Sequence, residues 1–234
     1  MQDTYERALI VGAGDGLSAS LARLLHGEAG MRVGLAARNG AKLAKLADET
    51  SASVVACDAS KPGDVDALFA EMDRVLGGPP DVVIYNASGR VRGPIVDLDR
   101  EAVAQAIAVS AYGGFLVAQA AARRMLARGK GAILFTGASA SVKGYAQSAP
   151  FAMGKFALRG LAQSLARELS PRGIHVAHFV IDGGIRNEAR SGSSDPGDTM
   201  LDPDAIAQTY LSILRQDRSA WTWEVELRPW VEKF

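Results

Sequence analysis

Lys155 stands four residues after Phe151 in "APFAMGKFAL" (149–158), a run that reads as the start of a buried helix. The i, i+4 spacing puts both side chains on one helix face. An ammonium on an apolar face is costly without a partner, so Lys155 implies an acceptor, for which the hydroxyls of a bound cofactor would serve. The alternative is a stem that carries the charge out to water. Phe151 has no proton to give. Near the start of the chain, "LIVGAGDGLSASLARLL" joins an apolar run to a helical pattern through Gly12, Gly14 and Gly16. Such a turn lets the backbone approach a diphosphate, whose charge would sit at the helix N-terminus. Glycine used only for turn geometry is the alternative. His175 and His178 are expected to pack or hydrogen-bond locally, and no group of residues has metal-ligand spacing.

These residues need a scaffold, and the pattern supplies one. "RALIVG" (7–12), "RVGLAA" (32–37), "SVVAC" (53–57), "DVVIYNA" (81–87), "AILFTG" (132–137) and "IHVAHFVI" (174–181) read as strands. Helical patterns fall near 17–29, 40–50, 63–76, 99–128 and 150–170. Continuous apolar strands alternating with helices imply an α/β fold whose parallel sheet is covered on both faces. Right-handed crossovers make it a doubly wound, Rossmann-type sheet with ligands at the carboxyl ends of the strands. The pattern then breaks into "RNEARSGSSDPGDTMLDPDA" before a last helix (203–216) and strand (222–227). No repeat or linker divides residues 1–234, so one domain is expected, with 187–216 as a substrate loop and lid region.

With 234 residues and 48% hydrophobic content the chain can bury one sizeable core. Its 26 basic residues balance 26 acidic ones, so no global field steers it toward nucleic acid or an anionic membrane. Cys57 is the only cysteine, which excludes an internal disulfide and suits a reducing cytoplasm. The opening "MQDTYERALIVG" is charged and then strand-like, unlike a signal peptide. "AVAQAIAVSAYGGFLVAQAAA" (102–122) carries no charge, yet its alanines supply little transfer energy. It is expected to be a helix buried on several sides of a soluble domain.

The glycine turn and the motifs after it resemble the short-chain dehydrogenase/reductase family over residues 5 to about 187. That family usually reads T-G-x-x-x-G-x-G at the turn; here the matching residues are Val11, Gly12, Gly16 and Ser18. The added side chain of Ser18 is expected to weaken helix–strand packing or cofactor contact. "AARN" places Arg38 after the second strand, where the resemblance implies a partner for the 2′-phosphate of NADP; a guanidinium suits a phosphate. An exposed arginine with no such role is the alternative. Asp58 in "CDAS" resembles the aspartate that binds adenine, or is otherwise a turn residue or N-cap before Lys61 and Pro62. "YNASG" stands for N-N-A-G, keeping Asn86 and Ala87 and changing the ends to Tyr85 and Ser88. The resemblance thus implies a pocket for NADP(H), in preference to NAD(H), built from Gly12, Gly14, Asp15, Gly16, Leu17, Arg38, Asp58, Ala59, Asn86, Ala87, Ser88, Lys155 and Ile185.

The family's chemistry uses a Tyr–Lys pair, a serine and an asparagine. Matched residue by residue, Phe151 stands for the tyrosine, Lys155 for the lysine, Ala138 for the serine and Ser110 for the asparagine. Ser139 would take the serine's place only with a one-residue shift. Tyr145 and Tyr112 are alternative proton donors, or else core or interface aromatics. Lys155, Ser139, Ser110 and Tyr145 are therefore the catalytic candidates. The resemblance implies an atypical NADP(H)-dependent oxidoreductase acting on a small molecule, with an activated C=C or C=O as its target. A catalytically inactive NADP(H)-binding or sensing protein is the alternative. It also implies a homodimer or homotetramer through the helices at 99–128 and 150–170, with "WTWEVELRPWVEKF" as a second contact.

Overall fold

A computed structural model describes residues 5–186 and 197–232. Strands β1 (Arg7–Val11), β2 (Arg32–Ala37), β3 (Ser53–Ala56), β4 (Val82–Tyr85), β5 (Gly131–Thr136) and β6 (Ile174–Ile181) form where the apolar runs predict them. With β9 (Glu224–Leu227) they make a seven-stranded parallel sheet in the order β3-β2-β1-β4-β5-β6-β9. Successive residues of β1 alternate between two cores: Ala8 and Ile10 face one side of the sheet, Leu9 and Val11 the other. Both faces being apolar explains why these strands read as unbroken hydrophobic runs. The strand order reverses between β1 and β4, which opens a crevice at their carboxyl ends.

The helices are α1 (Leu17–Gly27), α2 (Ala44–Thr50), α3 (Pro62–Val75), α4 (Arg100–Ile107), α5 (Gly113–Leu126), α6 (Ala149–Leu169) and α7 (Pro203–Leu214). The single helix expected at 99–128 is interrupted by a wider π-helical turn at Ala108–Tyr112. It is long and apolar enough to cross a membrane by length and composition, but 33% of its most apolar stretch is buried in the fold, and α5 packs on α3, β4 and β5. The expectation of burial on several sides is met where α4 packs on α6 and α5 packs on α3, α6 and the sheet. Tyr112 and Phe115 stack on each other along the side that stays exposed.

The lid expectation for 187–216 needs correction. Residues 187–196 lie outside the described residues, but α7 packs on α1 and its Ile206, Tyr210, Leu211 and Leu214 enter the core. A helix that buries so much apolar surface is scaffold, since each such side chain contributes about 1.5–3 kcal/mol. A two-stranded parallel pair unforeseen from sequence, β7 (Gly184–Ile185) and β8 (Met200–Leu201), ties this region together.

Candidate active site

The β1–α1 turn is shaped by one obligatory glycine. Gly12 has φ +86°, and a Cβ there would lie 2.3 Å from the Ala87 nitrogen. Gly14 and Gly16, by contrast, face open space. Gly16 caps α1 with no side-chain hydrogen bond, and no acidic residue occupies the first turn. The helix N-terminus is thus left to receive an anion.

Ser18 strengthens this turn, contrary to the expected weakening. Its buried hydroxyl donates to the Gly12 carbonyl at 3.3 Å and accepts from Asn86 Nδ2 at 2.7 Å. The Asn86 backbone N–H reaches the Val11 carbonyl at 2.8 Å, so the exits of β1 and β4 are locked together. Tyr85 lies beneath them, its hydroxyl donating to the Val109 carbonyl and its pKa raised by burial. A Cβ on Gly113 would strike that hydroxyl, which explains a glycine just after the π-helical turn.

A cavity of about 730 Å³ opens above these strand ends. Of the residues expected at a cofactor, Gly12, Gly14, Asp15, Arg38, Asp58, Ala59, Asn86, Ala87 and Ser88 line it. Gly16, Leu17 and Lys155 do not: Gly16 is the helix cap, Leu17 is core and Lys155 is buried in α6. Ile185 is half-buried in β7, away from this lining. Lys42, which the sequence reading missed, lines the cavity together with Arg38. The available signal was its spacing, a second cation four residues after Arg38. Asp58 accepts from the hydroxyl and the N–H of Ser60 at 2.7 and 3.1 Å, and the Ser60 hydroxyl holds its carboxyl below the usual range. It is a turn residue as well as a cavity wall, and Lys61, not Asp58, caps α3. Burial pushes the neighbouring Cys57 thiol up to about 11, so it is no nucleophile.

Lys155 is buried, and its ammonium donates to the Thr136 carbonyl at 2.7 Å. This rules out a stem reaching for water and supplies an acceptor within the protein. Among the described residues no other partner of Lys155 is found, and an ammonium has three donors. Burial, and secondarily the charge of Arg90, lower its pKa to about 7. The Arg90 guanidinium carbon lies 4.3 Å from the centroid of the Phe151 ring, with Lys155 Nζ 6.0 Å from the same centroid. Sequence reasoning did not single out Arg90. Nothing local marks it, because its neighbour on α6 is remote in the chain.

Of the other candidates, Ser110 and Tyr145 have partners of their own, and Ser139 is held through its backbone. The fully buried Ser110 hydroxyl accepts from the Gly89 N–H at 2.9 Å, which makes it a tether for the loop carrying Arg90. Ala138 and Ser141 close a turn, with the Ser141 hydroxyl accepting the Ala138 N–H at 3.1 Å. Ser139 gives its carbonyl to Val142 and Lys143. The exposed Tyr145 lies under the Lys143 ammonium, 5.9 Å from its ring centroid, and that lysine pairs with Asp182 at 3.2 Å. Tyr112 is stacked on Phe115, on the outer face of the long helix. As expected, the histidines bond locally: His175 to the Thr222 carbonyl and His178 to Glu224. Burial lowers His178 to about 4, so it is neutral at pH 7.

With this geometry the comparisons agree. An uncharacterized oxidoreductase of Staphylococcus aureus (strain N315) is 30% identical over 97% of this chain and 98% of its own length. Carbonyl reductase [NADPH] 2 of Sus scrofa is 31% identical over 81% and 76%. A crystal structure of a short-chain dehydrogenase from Rhodopseudomonas palustris superposes with a TM-score of 0.83 at 36% identity, covering 96% of this chain and 99% of that one. The short chain dehydrogenase family model matches residues 6–193, four-fifths of the sequence and every strand from β1 to β7, and the chain therefore belongs to the short-chain dehydrogenase family of oxidoreductases.

Proposed function

We propose that this protein binds NADP(H) and acts as an oxidoreductase on an activated double bond of a small molecule, without the family's tyrosine. The observation that carries this reading is the cavity shared by the Gly12–Gly14 turn and two cations, Arg38 and Lys42. The turn and the uncapped N-terminus of α1 suit a diphosphate. Arg38 and Lys42 suit a 2′-phosphate, for which the ribose of NAD(H) has no counterpart. Lys155 retains donors for ribose hydroxyls. The name of the pig relative, a carbonyl reductase [NADPH], supports the same choice. When bound, the cofactor supplies the hydride.

Phe151 and Ala138 have no proton to give and no hydroxyl to position a carbonyl. General acid–base groups typically contribute about 10²–10⁴-fold, so simple ketone–alcohol exchange is a poor fit. Reduction of a C=C conjugated to an acyl group moves negative charge onto an oxygen, which cationic groups can stabilise in place of a tyrosine. Lys155, protonated below about pH 7, supplies that charge. The same absence of acid groups favours the second reading, an NADP(H)-binding protein without turnover. NADPH oxidation over a panel of conjugated and simple carbonyl compounds separates the two. Tight NADPH binding with no turnover on any of them would favour the second, and absence of NADPH binding would sink both.

A further inference from the structure

His178 carries an unmatched acceptor. It stands level with Phe135 of β5 and Glu224 of β9, so its ring points to the face of the sheet that α6 covers. The ring is fully buried, and its Nδ1 lies 3.1 Å from a Glu224 oxygen. Arg159, one turn beyond Lys155 on α6, grips both oxygens of that carboxylate at 2.6 and 2.7 Å and holds it below the usual carboxyl range. An ionised carboxylate only accepts, so in the neutral ring Nδ1 bears the proton and Nε2 the lone pair. Among the described residues Nε2 has no hydrogen-bond partner. A buried acceptor left so is costly.

The donors around this nitrogen narrow the choice. The ring edge lies against Gly137, where a Cβ would strike Nε2. The Gly137 N–H is spent on the Phe179 carbonyl, and the Ala138 N–H on the Ser141 hydroxyl. The carbonyl of Thr136, the residue before, holds the Lys155 ammonium, which has two donors left. Lys155 and Arg159 are the cations whose charge is felt at His178, and Arg159 is turned to Glu224. An ammonium short of acceptors and an imidazole short of a donor thus flank one peptide unit, Thr136–Gly137.

We propose that His178 is a positioning residue of the candidate active site: its Nε2 accepts from the Lys155 ammonium, directly or across one water, and Glu224 with Arg159 fixes the tautomer that makes this contact. The inference rests on the reading of Lys155 as the charge of the site, and goes beyond it by naming what keeps that charge in place. A second acceptor favours the protonated lysine. It also directs two of the three N–H bonds, which leaves the third for a ligand oxygen. His178 touches no substrate and acts through Lys155. The charged groups facing the pair are Arg159 of α6, Glu224 of β9 and, toward Lys155, Arg90.

The test needs neither cofactor nor turnover, so failure of NADPH to bind would leave this inference standing. In protein carrying isotope-labelled histidine and lysine, NMR should show His178 protonated on Nδ1 and bare on Nε2. The Nε2 resonance should shift with the titration of Lys155 and lose that step in Lys155→Met. His178→Phe should lower the Lys155 midpoint by about one unit or more, the tenfold loss of proton affinity expected for a hydrogen bond to a charged group. His178→Gln, whose amide oxygen can accept, should restore part of it. A proton on Nε2, an Nε2 resonance indifferent to the Lys155 titration, or one Lys155 midpoint shared by wild type, His178→Phe and His178→Gln overturns the inference. The first two observations are made on the wild type and decide it even where His178→Phe does not fold.

Discussion

The Lys155 ammonium donates to the Thr136 carbonyl at 2.7 Å, and the Thr136 hydroxyl bonds that of Tyr210 at 2.8 Å. One residue at the exit of β5 thus links the chemical end of α6 to the core helix α7. A carbonyl, however, does not neutralise a buried charge.

The consequence is a stability cost that depends on pH. In the unfolded chain Lys155 keeps its proton up to its ordinary pKa of 10.5; in the fold it loses it near 7. Between these values the unfolded state binds the extra proton, so this residue makes stability rise with pH from about 7 to 10.5. Below 7 the cost is fully present. Lys155→Met should therefore stabilise the protein at pH 6, by on the order of 2–4 kcal/mol, and change little at pH 10. Urea denaturation at both pH values checks this. An equal effect at the two would show that the ammonium is not the source.

Arg38→Ala and Lys42→Ala should each weaken NADPH binding by roughly ten- to a hundredfold, as expected for charge-assisted contacts of about 1.5–3 kcal/mol. NADH binding should be unchanged, because its ribose carries no 2′-phosphate. Fluorescence titration of both cofactors against the three proteins measures it. Equal affinities that neither substitution alters would refute the phosphate assignment.

The sheet was legible because its inner strands bury both faces, which leaves unbroken runs such as "ALIV" and "ILFT" in the sequence. The cavity residues after each strand were legible for a related reason, since a doubly wound sheet brings its strand exits to one crevice. What escaped were contacts between remote segments. Ser18 meets Asn86 across the β1–β4 exits, and Arg90, after β4, meets Phe151 on the helix that follows the neighbouring β5. Neither partner carries a local sign of the other. The π-helical turn at Ala108–Tyr112 escaped because one extra residue per turn barely disturbs helical periodicity. Helix α7 itself was expected at 203–216, and only its core role escaped, because the polar stretch before it grouped it with a lid.

A second copy of this chain is proposed to cover the outer faces of α5 and α6. Phe115 and Phe156 are 41% and 46% exposed on these adjacent helices, with Tyr112 and Met153 beside them. Large apolar side chains gathered on neighbouring helices are characteristic of an interface. Of the C-terminal tryptophans, Trp221 stacks on His175 and Arg159 lies over Trp223, which leaves Trp230 as the outward one. Light scattering should give a dimer or tetramer at micromolar concentration, and Phe115→Glu with Phe156→Glu should reduce it to smaller species. A wild-type monomer would end the idea.

Phe151→Tyr alone should not create a competent reductase of neutral ketones. The new hydroxyl would enter a site where Ala138 offers no second hydroxyl and the Ser110 hydroxyl is committed to Gly89. Groups that act as a unit recover little when one returns. Adding Ala138→Ser is the informative second step. Adding Ser110→Asn is not, although the family pattern suggests it: a Cβ on Gly154 would already lie 2.6 Å from the Ser110 Cβ, so α6 packs directly on this position. The larger side chain should cost about 1–3 kcal/mol by overpacking and release the Arg90 loop. NADPH-dependent reduction of a neutral ketone panel by wild type, Phe151→Tyr and the double variant decides the matter. The single variant should stay at least about a hundredfold below the double, one acid–base group's typical share. High turnover from the single variant would show that Ser139 or Tyr145 already completes the site. High turnover from the wild type would mean that the proton donor has been moved within the site and not lost.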